Sequence, residues 1–430
     1  MDPILYGAVL AYLIFMFLIG VLSSRRIKSA EDFLLAGRRL GVLLLTFTLA
    51  ATHFGGGMVM GEIEYGMLHG TLGGMWYGIS CAIGLLALSF IAPRLRELSL
   101  FTAPEYLERR YGGRFLRPYT ALLSLASMIG ILAAQIIATE ELLSLFGVPP
   151  RIAGAIATII FILYTVFGGM WAVTLTDFIQ LTIAAGATIT IALVAPVPQI
   201  ANTYEPLTAL GIMGIVVPTV MYTLIGQDFY QRFLSAKNAE TARKSSILAA
   251  LILIVVSFFP AFLGSKLSSS LSSLLSYIPG FLGILFIVSV LGAIMSTADS
   301  LLSAAASHIT VDLFAQVTED DRKRLLYSRV SVLLVGLFAL AISFVMPTII
   351  DAIVFAYTIY TAAVFFPLVL GLVWKKGKRA AAEVSMVCST IFVIASFVYA
   401  PEGIPLEITG AVISLILFVI ISVIPKHIRE

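Results

Sequence analysis

The chain has 430 residues, 60% of them hydrophobic and 12% charged, against roughly 25% charged in an ordinary soluble domain. That balance excludes a soluble globular protein and places the chain among polytopic, all-α membrane proteins. The net charge of +3 gives no case for nucleic-acid binding. The two cysteines, Cys81 and Cys388, lie inside apolar stretches with no disulfide or metal spacing.

In chain order, the first apolar stretch, 4–22, has no charged run before it and no cleavage pattern after it, so it reads as a retained helix. The second, 40–67, contains Gly55, Gly56 and Gly57 in succession. Each glycine disfavours a helix interior by about 1 kcal/mol relative to alanine, so the backbone is expected to unwind there. Unwound backbone at membrane depth is tolerated only where protein or a water-filled cavity satisfies it, which makes this stretch the centre of a candidate binding site. Further spans are expected over 71–93, 117–146, 150–168, 175–195, 206–226, 244–266, 278–312, 325–346, 348–373, 379–400 and 404–424, thirteen in all.

Charge supports that count. All of the 27 Lys and Arg residues except Arg151 and Lys266 fall in alternate loops, with Arg232 assigned to the loop after the seventh helix. Positive loops face the cytoplasm, so the N-terminus is expected outside and the C-terminus inside the plasma membrane. This orientation makes helices two to six (40–195) and seven to eleven (206–373) two five-helix blocks of opposite topology. Residues 1–39 add an extra helix and loop, and 374–430 add two more helices. Each block shows an interruption in its first helix, the triple glycine in one and Pro218 in the other. Paired broken helices in inverted halves point to a secondary transporter with a midplane site.

In the ninth helix, Ala293, Ser296, Thr297, Ser300, Ser303 and Ser307 fall on one face. Two readings are open: small-residue packing with interhelical hydrogen bonds, or oxygen ligands for a small hard cation.

The segment Tyr164–Gln180 (YTVFGGMWAVTLTDFIQ) resembles the signature of the sodium:solute symporter family. Gly226–Asn238 (GQDFYQRFLSAKN) is similar to that family's loop after the seventh helix. The Leu35–Gly41 run LAGRRLG, the hydroxyl stripe and the WKK ending at Lys376 also fit, so the resemblance spans helices two to eleven. It implies the leucine-transporter fold and sodium-driven alternating access. Carried over by position, it implies a sodium site of the backbone carbonyls of Ala51, Phe54 and Ala293 and the hydroxyls of Ser296 and Thr297. Some members of the family use a second site, which here falls on Asp177, Asp299 and Ser300. Asp299 departs from the pattern, and the pair of acids either binds a second cation, shares a proton, or is structural, with Asp177 as a cap and Asp299 paired to an arginine.

For the solute, Gly55, Gly56 and Gly57 offer bare backbone. His53, beside the break, is either a functional ionisable group or a neutral histidine bonded to a carbonyl. Tyr222 matches an aromatic that closes the site in relatives, with simple packing as the alternative. Tyr77, Ser80 and Tyr360 are further lining candidates. No Lys or Arg is evident near the midplane of the expected site helices. A compact solute is expected, with proline, another small amino acid or a monocarboxylate favoured and sugars left open. A proton-coupled symporter, a channel and a transporter-derived sensor are the alternatives. Enzyme function is not expected, because the histidines and cysteines form no triad or metal spacing. The expected partners are a small solute, sodium and the lipid bilayer, with no obligatory protein partner.

Overall fold

The computed structural model describes residues 3–144, 147–195, 204–267, 278, 280–314, 320–346, 349–399 and 406–424. Its elements are α1 (Pro3–Ser23), α2 (Ala30–Leu35), α3 (Val42–His53), α4 (Gly56–Gly74), α5 (Trp76–Glu97), α6 (Ala103–Tyr111), α7 (Leu116–Ser144) and α8 (Pro150–Val194). They continue as α9 (Ala209–Ile225), α10 (Gln227–Ser235), α11 (Ala239–Ser265), α12 (Gly280–Ser307), α13 (Asp321–Ser343), α14 (Ile349–Val373), α15 (Arg379–Tyr399) and α16 (Leu406–Val423). Among the described residues no β-strand forms, and the one isolated bridge joins Leu40 to Ala236.

Among the described residues eight helices are long and apolar enough to cross a bilayer, and ten if the bent pairs α3–α4 and α9–α10 each count as one span. The 45-residue α8 would be nearly 70 Å long if straight, more than twice a hydrocarbon core of about 30 Å. It is divided at Gly169, whose φ of +47° is left-handed backbone that glycine adopts without steric penalty. The Phe33 carbonyl lies 2.5 Å from where a Cβ would sit. The expected helices at 150–168 and 175–195 are the two sides of this break. At Gly70, φ +73°, the chain likewise turns between the expected second and third helices.

Loops rich in Lys and Arg meet at one end of the molecule. Arg38 donates to the carbonyls of Leu234, Ser99 and Leu100, Arg96 to Ala236, and Arg110 to Gly371, Trp374 and Lys375. The short helices α2 and α6 lie in this layer and were not expected from the apolar pattern, being too short and too polar to span. Their N-caps are legible: Ser29 accepts from the Asp32 amide and Thr102 from the Glu105 amide, while both acids reach back to the amides before the caps. At the opposite end Tyr204 and Glu205 bond the chain at Ser265 and Leu68.

Inside, glycine lets backbones approach where bulk apolar burial gives no drive between helices in lipid. Along α4 and α11, Cβ atoms at Gly66 and Gly264 would overlap the Ala261 and Ile63 carbonyls. Apolar side chains at helical spacing, such as Leu10, Ile14 and Leu18 on α1 or Ile152, Ile156 and Ile159 on α8, are left exposed as a lipid-facing surface.

Pro218 does not break its helix; α9 runs through it, and the 46° bend comes at Gly226. There ψ turns to 128°, and a Cβ would press on Asp228, Phe229 and Tyr222 at 2.6–3.1 Å. Arg232 does not lie in a solvated loop. It is on the buried helix α10, with its side chain fully enclosed. The charge run 318–324 reads in the sequence as a solvated cytoplasmic loop; residues 318–319 lie outside the described ones, and Asp321 to Arg324 form the first turn of α13.

Candidate functional site

The triple glycine does what its composition dictates. α3 ends at His53, Phe54 and Gly55 leave helical geometry, and α4 restarts at Gly56 with a 55° change of direction. The break faces α12. Ser296 donates to the carbonyls of Ala51 (3.2 Å) and Ala293 (2.9 Å), and Thr297 donates to Ala293 at 3.4 Å. Gly55 is seated against the Thr297 side chain, where a Cβ would overlap the hydroxyl. Ser296 therefore links the Ala51 and Ala293 carbonyls, Thr297 shares the latter, and Phe54 is the first residue of the break. All five are at least 90% buried. The set offers oxygen atoms only, the donor chemistry of a small hard cation.

The hydroxyl stripe divides in two. Its first half, Ala293 to Thr297, meets the broken helix. Its second half is hydrogen-bonded by α10, in three successive rungs: Arg232 to Ser300, Gln231 to Ser303 (3.1 Å) and Gln227 to Ser307 (3.1 Å). This zipper seals the basic end below the break. The packing reading of the stripe holds for its lower half, where the serines take part in interhelical hydrogen bonds.

Asp177, Asp299 and Ser300 do come together, with Arg232 among them. The Arg232 guanidinium pairs with Asp177 at 3.1 Å, bonds Ser300, and takes the Thr48 oxygens and the Asp228 carbonyl as further acceptors. Asp299 accepts from Tyr164 (2.8 Å) and Thr176 (3.3 Å). Asp177 also accepts from Thr48, and its Oδ1 has no partner among the described residues. Tyr164, Thr176 and Asp177 all come from the Tyr164–Gln180 segment, so that segment supplies the polar partners of this buried cluster.

Beside the break lies a cavity of about 140 Å³, room for on the order of ten water-sized groups. Of the expected lining residues, His53, Gly55, Gly57, Tyr77 and Tyr222 face it. Gly56 sits just behind, its α-carbon toward Ile294 and Gln135. Ser80 and Tyr360 do not line it: Ser80 bonds back to the Trp76 carbonyl, and Tyr360 donates to Ile225 at 2.8 Å. His53 stacks on Phe229 at 4.4 Å and has Thr223 at 3.3 Å from Nε2, so its partner is a hydroxyl and not the carbonyl expected. A second cavity of about 150 Å³ shares Gly57 and Tyr77 with the first and extends toward Tyr65.

Three interior groups escaped the sequence reading: Gln135 of α7, and Asp228 and Arg232 of α10. Their signal was present. Gln135 is an isolated amide in the apolar run 125–138, and Gln227, Asp228, Gln231 and Arg232 repeat at i, i+4, a polar face on a helix with no solvent to meet.

The sodium:solute symporter family model matches residues 33–201 and 268–388. The chain belongs to the sodium:solute symporter family. Its relatives include the osmoregulated proline transporter OpuE of Bacillus subtilis (strain 168), 26% identical, with 97% of this chain and 94% of that protein covered. The sodium/proline symporter of Staphylococcus aureus is 26% identical over 90% of this chain and 85% of that protein. Among solved structures, a substrate-bound, outward-open Na+-coupled sialic acid symporter superimposes with a TM-score of 0.81, covering 98% of this chain and 97% of that one at 19% identity. The fold of this symporter is the leucine-transporter fold, and the protein is a membrane transporter and not an enzyme.

Proposed function

We propose that this symporter carries proline, or a solute of similar size, into the cell together with sodium. The observation that carries the reading is the junction of the α3–α4 break with Ser296 and Thr297 beside a 140 Å³ cavity. One sodium is held by the Ala51, Phe54 and Ala293 carbonyls and the two hydroxyls. These ligands come from two elements, so the ion binds well only when α12 and the break stand at one separation, and it biases the conformation accordingly. The solute occupies the cavity between Gly55, Gly57 and the aromatic residues. It enters from the Tyr65 side through the second cavity, while the zipper of α10 on α12 closes the other end.

The membrane-spanning core is an inverted pair of five-helix blocks, 40–195 and 206–373, flanked by 1–39 and 374–430. The bent pairs α3–α4 and α9–α10, each the first span of its block, support this arrangement. The basic end is the cytoplasmic one, which puts the N-terminus outside in a thirteen-span plasma-membrane protein. Arg232 already supplies a cation between Asp177 and Ser300, which favours a single sodium per cycle.

Purified protein in proteoliposomes should take up labelled proline when sodium is outside and not when potassium replaces it. Thermal unfolding should rise with proline only in sodium, because a ligand at 100 times its Kd stabilises by about 2.7 kcal/mol. The sodium Hill coefficient is expected to be one and to stay one in Asp299→Asn. Proline uptake indifferent to sodium would reject the coupling, and a coefficient near two that falls to one in Asp299→Asn would establish a second ion.

A further inference from the structure

The polar groups lining the solute cavity are unequal in what they have left to offer. Tyr222 donates to Asp228 Oδ1 at 3.3 Å, His53 faces Thr223, and Thr297 faces Ala293. Gln135, 4% exposed, points its Oε1 at no partner among the described residues. That oxygen lies 3.6 Å from where a Gly56 Cβ would be, which puts it at the restart of the broken helix. Asp228, 3% exposed, lines the same cavity.

No Lys or Arg lines the cavity among the described residues. The nearest guanidinium, Arg232, spends its donors on Thr48, Asp177, Ser300 and the Asp228 backbone carbonyl. The fixed formal charge of the cavity is therefore that of the Asp228 carboxylate, beside the rings of Phe229, Tyr222, Tyr77 and Tyr357. A carboxylate and a free amide oxygen are acceptors, and aromatic faces attract cations. The opposite pole is the start of α4, where Gly56 and Gly57 present backbone N–H groups at the positive end of a 19-residue helix.

We infer that Asp228 and Gln135 recognise a protonated amine on the solute, so that the site selects zwitterionic amino or imino acids over monocarboxylates and sugars. The inference rests on the reading of this cavity as the solute site. The ammonium lies against the Asp228 carboxylate: a monocarboxylate brings a negative charge with no ammonium to pair with Asp228, and a sugar offers Asp228 hydroxyl donors but no positive charge. The carboxylate of the solute turns to the Gly56–Gly57 amides. Asp228 and Gln135 are specificity-determining residues that leave the sodium ligands untouched.

The test compares proline with cyclopentanecarboxylate, the same ring and carboxylate with a methylene in place of the amine. With sodium outside the proteoliposomes, cyclopentanecarboxylate should compete with labelled proline at least 100-fold more weakly than unlabelled proline does. Asp228→Asn should raise the proline half-saturation by 10-fold or more and shrink the discrimination, with the sodium half-saturation unchanged. Gln135→Leu should act in the same direction, and Gln135→Glu, which keeps an acceptor, should retain proline uptake. Equal competition by the two compounds in the wild type, or discrimination unaltered in both Asp228→Asn and Gln135→Leu, would overturn the inference. If the wild type transports neither compound, proline is not the solute, and the amine is then judged by thermal shift in sodium with alanine against propionate and glycine against acetate. Stabilisation confined to the ammonium-bearing members upholds the inference, and stabilisation by the acids alone, or by none of the four, overturns it.

Discussion

The sharpest perturbation of the proposed sodium site is Gly55→Ala, a single methyl at the hinge of the broken helix. Gly55 has φ −93° and ψ −175°, extended backbone that alanine adopts freely, so the substitution introduces no conformational strain of its own. Its added carbon would overlap the Thr297 hydroxyl and stand 3.3 Å from the Thr297 Cβ. Relief requires the break and α12 to separate by about 1 Å, since carbon and oxygen pack no closer than roughly 3.4 Å without repulsion. The proposed ligands sit on both sides of that contact, Ala51 and Phe54 on one and Ala293, Ser296 and Thr297 on the other. A displacement of about 1 Å at a positioned site reduces performance on the order of 100-fold, equivalent to about 2.8 kcal/mol of sodium affinity. The half-saturating sodium concentration for proline uptake should rise by that factor. Gly186→Ala, at a position with nothing within 4 Å of the new carbon, should leave it unchanged. A Gly55→Ala protein with the wild-type sodium dependence would refute the site and the contact argument together.

Other consequences follow from the same contacts. Ser296→Ala combined with Thr297→Ala removes both proposed side-chain ligands and should abolish sodium-stimulated uptake while the protein still inserts and folds, as judged by size-exclusion profile. Arg232→Gln leaves Asp177 buried without its ion partner, a change expected to destabilise by about 3–5 kcal/mol; adding Asp177→Asn should recover much of the lost melting temperature. Gln227→Ala with Gln231→Ala removes two rungs of the zipper between α10 and α12. At about 0.6–1.5 kcal/mol for each, the inward-open population should rise by roughly 10- to 100-fold. With Cys81 and Cys388 replaced, a cysteine introduced by Leu301→Cys should then react faster with an impermeant thiol reagent applied at the cytoplasmic face.

What the sequence determined by itself was everything that depends on local composition and period. Apolar runs of bilayer length set the all-α membrane class, because lipid leaves the backbone no other way to satisfy its polar groups. Three successive glycines located the α3–α4 break, and helical spacing put Ser296 to Ser307 on one face. The family resemblance pointed to Ala51, Phe54, Ala293, Ser296 and Thr297, which the fold gathers at one junction. Tertiary structure alone decided what those local features meet. Pro218 suggested the second break, yet α9 continues through it and Gly226 bends instead, because its neighbours' rings and the Asp228 carboxylate need the space a side chain would take. Arg232 looked like a loop charge; it is buried because Asp177, 55 positions away in sequence, arrives from α8 to neutralise it. The same holds for Gln135 and Asp228: each is one polar residue in an apolar or mixed run, and only the packing of α7, α10 and the broken helix turns both toward one cavity. Local period is a property of neighbouring residues, whereas the partner of a buried charge comes from another part of the chain and is fixed only when the helices pack.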